Sequence, residues 1–544
     1  MADFGDVDAI AAEFQASGGQ PGLVYGIVQA GALVHAGGLG ERQLGGAAPD
    51  ADTVFRIASM SKSFTAAAIV LLRDEGKLAL DDLASRYVPE TVRWEVVPSI
   101  RQLLTMTAGF PTDDPWGDRQ QGLPLAEFGA FLAGGVSFTR APGIAFEYSN
   151  LGYAILGRVV SAASGVPYRD FVRDRLMLPL GMTRSGYDAP DEGLAPGYRR
   201  APGGWQELPV MPYGAFAPMG GVFTTISDLA RWVAGFMDNS KKHPLSATSR
   251  REMQQPQVPT LWDRPAAFPG DGQVTCYGFG LSVDEDPVLG RVIGHGGGYP
   301  GYGSYMRWHP ATGTGVIAFG NGTYARMGTL TARMLPAVAR DRPAAAPWPA
   351  TATARDAVTS LLVNWDDAIA DRLFTPNVAQ DMPYPERRAV IERVRARIGD
   401  FGDDTAYPAQ HDTPAHCRWR LAGEHGTVQV QILLTPERQP RVQSVSLAVP
   451  PADGSPLAKA LDSVVAWMNG GGAVVPVSDG MLARRLKAAA AWAGECRIAA
   501  YTAGDGETTT TAELAGEHAT PALTVDVDPA TGQVRRGDIT WQPR

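Results

Sequence analysis

Three cysteines in 544 residues, Cys276, Cys417 and Cys496, are too few, too scattered and odd in number for a disulfide framework, so a reducing cytoplasm is the expected setting. No uncharged apolar stretch of about 18 residues occurs, so no membrane span is expected. The first fifteen residues hold Asp3, Asp6, Asp8 and Glu13 with no basic run, and no signal peptide is expected either. Basic runs are lacking throughout. With 48 Lys plus Arg against 57 Asp plus Glu the net charge is −9, which argues against nucleic acid as a partner. No phosphate loop, dinucleotide fingerprint or metal box is present, so neither a cofactor nor a metal is expected. Lysine itself is scarce, six beside 42 arginines, so where a lysine stands carries information.

What the chain does have is core. At 44% hydrophobic and 19% charged it reads as packed globular structure, and its length exceeds the reach of one core at about 150 residues per domain. Pro and Ala dominate 342–351 without any helical or strand period, so 342–353 reads as a linker that closes a first domain at 1–341. A second cluster of turn formers at 449–456 separates 354–449 from 457–544. These last two regions read as tandem copies. Leu421-Ala-Gly-Glu-His425 lies on Leu514-Ala-Gly-Glu-His518, and the same register pairs Thr427 with Thr520, Pro436 with Pro529 and Pro450 with Pro543. Each predicts one or two helices followed by an antiparallel meander, with period-2 alternation in 427–432 and 523–527. The first copy resembles cystatin-like or nuclear-transport-factor-2-like folds. His411, His416 and Cys417 lie close in sequence but lack a standard zinc spacing.

Three local patterns in the first domain carry chemistry. In 55–72, Lys62 is the one charged residue after Ser59, which predicts a helix buried nearly all round, opened by Ser59 and closed after Gly76. Residues three apart share a helix face, so the Ser59 hydroxyl and Lys62 amine fall within reach of each other. Burial and the helix N-terminus both disfavour the ammonium, so Lys62 is a candidate proton acceptor; arginine, with a pKa above roughly 12, is not. The bland alternative has Ser59 as a cap and Lys62 snorkelling to solvent. In 146–160, Tyr148 and Asn150 stand at the entry of a second apolar helix, and Asn150 offers both a donor and an acceptor to a substrate amide. In 291–301, His295 is followed by Gly296, Gly297 and Gly298 ahead of a strand pair around a turn at 310–313. Small residues there let a substrate approach a strand edge and take a backbone N–H.

Taken together, Ser-x-x-Lys, Tyr-x-Asn and a small-residue strand edge, in that order, resemble the serine β-lactamase and penicillin-binding-protein superfamily. More narrowly, they resemble its branch of class C β-lactamases, family VIII esterases and D-aminopeptidases. Supporting segments are Arg101-Gln-Leu-Leu-Thr-Met-Thr-Ala-Gly-Phe110, 141–153 and 220–230, and the resemblance covers residues 10 to 335. It implies an α+β fold, an antiparallel sheet flanked by helices with an all-helical subdomain, followed here by the two small α+β regions. It makes Ser59 the acylated nucleophile, Lys62 with Tyr148 the proton-transfer pair, Asn150 the anchor of the acyl portion, and the N–H of Ser59 with that of Gly297 or Gly298 the oxyanion hole. His295 stands where β-lactamases and penicillin-binding proteins carry lysine. With a reference pKa of about 6.5 it is mostly neutral at pH 7, so recognition of a substrate carboxylate at that position is not expected. The expected activity is therefore hydrolysis of amides or peptides of D-amino acids. A carboxylesterase, an acyltransferase or peptide cyclase, and a catalytically idle penicillin-binding-like sensor are the alternatives. The absence of Gly-x-Ser-x-Gly excludes an α/β-hydrolase. The expected partner is a small-molecule or short-peptide substrate, with the C-terminal copies candidates for shielding the cleft or forming a homo-oligomer.

Overall fold

The computed structural model describes residues 4–237, 243–260, 274–286, 289–339, 346–471, 480–517 and 520–542. Two compact units divide the chain, Met1–Arg342 and Pro343–Arg544. The boundary expected at 341/342, together with 342–345 of the linker, His518 and Pro543, lies outside the described residues.

In the first unit, helix α1 (Gly5–Ala16) precedes strands β1 (Gly22–Gln29) and β2 (Ala32–Gly40), and helices α2 (Ser61–Asp74), α3 (Asn150–Ser164) and α4 (Ile226–Met237) follow. Strands β3 (Val258–Pro259), β4 (Val274–Tyr277), β5 (Ser282–Asp286), β6 (Gly290–Tyr299), β7 (Tyr302–His309) and β8 (Thr314–Gly320) come next, then helix α5 (Met327–Val338). The strands form one antiparallel sheet in the order β2-β1-β8-β7-β6-β5-β4-β3. Its period-2 pattern sorts side chains between two cores. Val24 and Val28 join Phe55, Phe64 and Trp308 on one face, while Leu23, Tyr25 and Ile27 join Val7, Leu330 and Met334 on the other. The predicted strand pair is present, with Ser304 opposite Phe319 and Trp308 opposite Gly315.

Helix α2 is buried from Ser61 to Leu72. It is held in rotation by α4: Trp232 stacks on Phe64 at 4.0 Å and donates to Ser63 Oγ at 3.1 Å. Burying such aromatic area contributes about 2 kcal/mol and leaves α2 one way to face, with Lys62 toward α3. Helix α3 is capped by the Ser149 hydroxyl on the Gly152 N–H and stops at Gly165, whose φ of 73° is the left-handed stop that glycine permits.

In the second unit the helix α6 (Pro349–Val363) begins inside the segment read as linker. Its proline occupies the first helical turn, where a missing N–H costs nothing, so the Pro/Ala run is partly a helix start. Helix α7 (Tyr384–Ile398), strands β9 (Phe401–Asp403), β10 (His416–Gly423), β11 (Gly426–Leu434) and β12 (Val442–Leu447), helices α8 (Pro456–Met468) and α9 (Gly480–Ala493), and strands β13 (Arg497–Gly504), β14 (Thr509–Ala515), β15 (Thr520–Val527) and β16 (Val534–Gln542) follow. Each half has its own core, one around Trp419 and Val430, the other around Leu457 and Leu523. The two α+β halves do not close separate sheets. They share one, ordered β9-β10-β11-β13-β14-β15-β16, with β12 also on β11. The reason is an edge left open: β12 covers β11 from Val430 to Leu434 only, and β13 docks parallel on the remainder, Val428 opposite Tyr501.

Candidate active site

Ser59 sits on a single turn of 3-10 helix, Ala58–Met60, immediately before α2 rather than at its cap. Ala58 has a φ of 47°, a left-handed conformation costing of order 1 kcal/mol or more in a non-glycine residue. The turn is pinned from both sides: Ile57 N–H bonds the Val222 carbonyl at 2.9 Å, and the Ser304 hydroxyl donates to the Ile57 carbonyl at 2.8 Å. The strained turn presents Ser59 Oγ at the junction of α2, α3 and β6.

Lys62 is fully buried, yet all three of its hydrogen-bond directions are used. Its Nζ lies 2.9 Å from Ser59 Oγ, 2.7 Å from Asn150 Oδ1 and 3.0 Å from the Met219 carbonyl. This overturns the snorkelling alternative, because the amine points inward. Burial pushes its pKa down to about 8, while the nearby carboxylates Asp114, Asp118 and Asp113 pull in the opposite direction. Asn150 Oδ1 and the Met219 carbonyl only accept, so they take two N–H groups of Lys62; the ammonium donates its third to Ser59 Oγ, and loss of that proton leaves a lone pair facing the Ser59 hydroxyl.

Tyr148 lies in the loop before α3, with Lys62 Nζ 4.8 Å from its ring centroid. Burial raises its pKa well above the ordinary value, and contact with the Ser59 hydroxyl opposes this, so the phenol is protonated at neutral pH. Asn150 opens α3 as its first residue; Ser149, not Asn150, is the cap. His295 is buried on β6, with Nδ1 2.6 Å from the Gly296 carbonyl oxygen and Nε2 3.0 Å from the Tyr277 hydroxyl. That pairing places the proton on Nδ1 and makes Nε2 the acceptor. Burial, with the Lys62 charge adding to it, pushes its pKa down to about 3, so it supplies no cation.

Gly297 is where β6 meets the Ser59 turn: a Cβ there would lie 2.2 Å from the Ile57 carbonyl oxygen and from Ser304 Oγ. Register then separates the two glycines. Tyr299 and Tyr302 close the β6–β7 hairpin across two residues, and bonded and unbonded pairs alternate from that closure, so Gly297 faces β7 and the N–H of Gly298 points off the free edge. Partner strand β5 pairs with β6 only as far as Gly294, which leaves that edge open beside the site. Ser59 is 9% exposed, while Lys62 and Asn150 are at 0%. Ser59 thus keeps a trace of exposure that the groups behind it lack.

Sequence reasoning missed the acids behind the site. Asp113 receives the backbone N–H groups of Asn150 and Leu151 at 2.6 and 2.9 Å, and Asp114 Oδ1 accepts from Asn150 Nδ2 at 2.7 Å, which turns Oδ1 of that amide toward Lys62. Asp118 accepts from the Tyr324 hydroxyl at 2.9 Å, and burial pushes its pKa up to about 6. Gly117 lets this segment close on the site, since a Cβ there would be 2.9 Å from Asn150 Cβ. The run Asp113-Asp114-Pro115 opening a short helix was the available signal, but 36 residues separate Asp114 from its partner.

A family model described as Beta-lactamase matches residues 7–339. Penicillin-binding protein 4* of Bacillus subtilis (strain 168) is 28% identical over 283 residues, 47% of this chain and 58% of that protein. The D-alanyl-D-alanine-carboxypeptidase/endopeptidase AmpH of Escherichia coli (strain K12) is 29% identical over 287 residues, 49% of this chain and 71% of that one. The match thus spans little more than half the length of the first of these relatives. Among solved structures, the octameric penicillin-binding protein homologue from Pyrococcus abyssi superposes with a TM-score of 0.55 at 18% identity, covering 99% of both chains. A class C beta-lactamase superposes with a TM-score of 0.51 at 21% identity, covering 61% of this chain and 95% of that one. At these identities the likeness speaks for the fold alone. Among the described residues no helix is long and apolar enough to cross a membrane. The matched span takes in the whole first sheet, the Ser59 turn and the helices that close on it, and the chain belongs to the Beta-lactamase family.

Proposed function

We propose that the protein is a serine hydrolase that cleaves amides or short peptides of D-amino acids through an acyl-enzyme on Ser59. The observation that carries the reading is the fully buried Lys62 amine 2.9 Å from Ser59 Oγ, whose pKa burial lowers to about 8, so that its deprotonated form can take the Ser59 proton. In this scheme Ser59 Oγ attacks the substrate carbonyl carbon as Lys62 takes its proton. The resulting oxyanion is held by the N–H of Ser59, which has no backbone partner among the described residues, and by that of Gly298. Collapse breaks the C–N bond, and the leaving amine takes a proton from the Tyr148 phenol, which Lys62 replenishes. Water then attacks the ester, with the same pair accepting its proton and returning one to Ser59. Asn150 anchors the acyl portion, and neutral His295 lines the leaving-group side, where it favours leaving groups without a carboxylate. AmpH, a relative whose name describes cleavage at D-alanine, supports the D-amino-acid assignment. A carboxylesterase is the second reading, since a neutral His295 suits an alcohol leaving group equally well. Intact-mass spectrometry across D-amino-acid amides, their L-enantiomers and short-chain esters separates the two. We expect D-amide turnover to exceed L-amide turnover, with Ser59→Ala inert; ester turnover without any amide turnover contradicts the D-amide assignment. The C-terminal unit is assigned to homo-oligomer formation, on the strength of the octameric neighbour that matches the full length, and light scattering tests it.

A further inference from the structure

Neutral His295 removes the fixed cation expected at one end of the site, and cationic groups reappear at the other end. A cavity of about 380 Å³ in the first unit is lined by Arg119, Arg199, Leu208, Met211, Tyr299 and Thr323. Tyr299 follows Gly298 directly on β6, and Thr323 precedes Tyr324, whose ring lies over Gly298 within 2.7 Å of where a Cβ would stand. The cavity therefore begins one residue beyond the N–H assigned to the oxyanion. Arg119 belongs to the segment that closes on Asn150 through Gly117 and Asp114, which places it on the acyl side; His295 and Tyr277, with Phe146 against Tyr277, bound the opposite side. Arg199 comes from a separate hairpin, Gly197–Ala201 with Gly204–Leu208.

Elsewhere in this unit arginines are mostly spoken for, as Arg73, Arg101, Arg158, Arg231 and Arg333 each pair with a carboxylate. Arg119 and Arg199 have no ion pair and no side-chain hydrogen bond among the described residues. The neighbouring carboxylate, Asp118, hydrogen-bonds the Tyr324 hydroxyl and acts on Arg119 through its charge alone. Both arginines are exposed side chains that line one partly apolar cavity, and their guanidinium groups can offer a planar anion charge-assisted hydrogen bonds. We propose that this cavity is an acyl-side subsite for a carboxylate, so that preferred substrates carry a free acid on the acyl portion. The inference rests on the acyl-enzyme reading above and adds a substrate class to it.

The test compares p-nitrophenyl esters of glutarate and of its monomethyl ester, which share leaving group and chain and differ in charge, on the full chain and on the Arg119→Glu/Arg199→Glu variant. We expect wild type to prefer the acid, and the double variant to lose about tenfold or more in kcat/KM for the acid, mainly through KM, with the methyl ester within about threefold. Added salt lowers the acid preference of wild type alone. Equal effects on both esters, or no acid preference in wild type, overturn the subsite. A fluorophosphonate reports separately on Ser59: labelling that persists in both proteins while the charge preference is absent sinks the subsite and spares the hydrolase reading, whereas no labelling of wild type sinks both.

Discussion

Burial acts on a nucleophile in each of the two units and yields opposite chemistry. In the first, Ser59 lies against a lysine whose pKa burial has pushed down to about 8 and a phenol whose pKa it has raised. In the second, Cys417 is a stronger intrinsic nucleophile and is buried completely, but burial pushes its pKa up to about 11 and no amine or imidazole is hydrogen-bonded to it among the described residues. Desolvation weakens whatever charge a group would carry. It prepares a base when the group is an amine and silences a nucleophile when the group is a thiol. What separates a site from a core is the convergence of groups whose shifts serve one proton transfer.

The sharpest break in that comparison is to keep the charge at position 62 while removing the ability to be neutral. Lys62→Arg is expected to lower kcat/KM for ester hydrolysis by about 10³-fold, with circular dichroism unchanged, because guanidinium does not accept the Ser59 proton at any working pH. Next in size is the inert thiol. Alkylation of native protein at pH 7.5, read by peptide mass, is expected to modify Cys417 at least about 10²-fold more slowly than in urea; equal rates would show that burial does not protect it. The smallest effect concerns tuning. Asp118 holds the Lys62 pKa up, so Asp118→Asn lowers it, and the pH at which kcat/KM reaches half its plateau is expected to move down by up to about one unit. An upward shift contradicts the assigned sign.

The legible parts of this site were the local ones. Ser59 and Lys62 stand three residues apart on one helix face, and the distance between them follows from helix geometry alone; Tyr148 and Asn150 flank one cap, and His295 to Gly298 share one strand. Asp113 and Asp114 escaped because nothing in their own segment shows that Asn150 and Leu151 fold onto them from 36 to 38 residues away, and Asp118 because its partner Tyr324 lies 206 residues on. Which glycine offers its N–H depended on where the β6–β7 hairpin closes, a matter of register that the glycine run leaves open. In the second unit the helices and meanders could be read from periodicity, but the parallel contact of β11 with β13 leaves no turn signature, and Pro349 reads as linker until its helix is seen.

The account stands on a neutral Lys62 removing the proton from Ser59. Its most direct measurement is the rate of covalent adduct formation from p-nitrophenyl acetate, followed by intact mass between pH 5.5 and 10 with the modified peptide identified. A folded-state pKa depressed to about 8 means the reactive form is scarce below that value. The predicted result is one adduct, on Ser59, whose rate climbs about tenfold per pH unit at low pH and levels off above about pH 8. An adduct on any other residue, or a Ser59 rate indifferent to pH across that range, would contradict it.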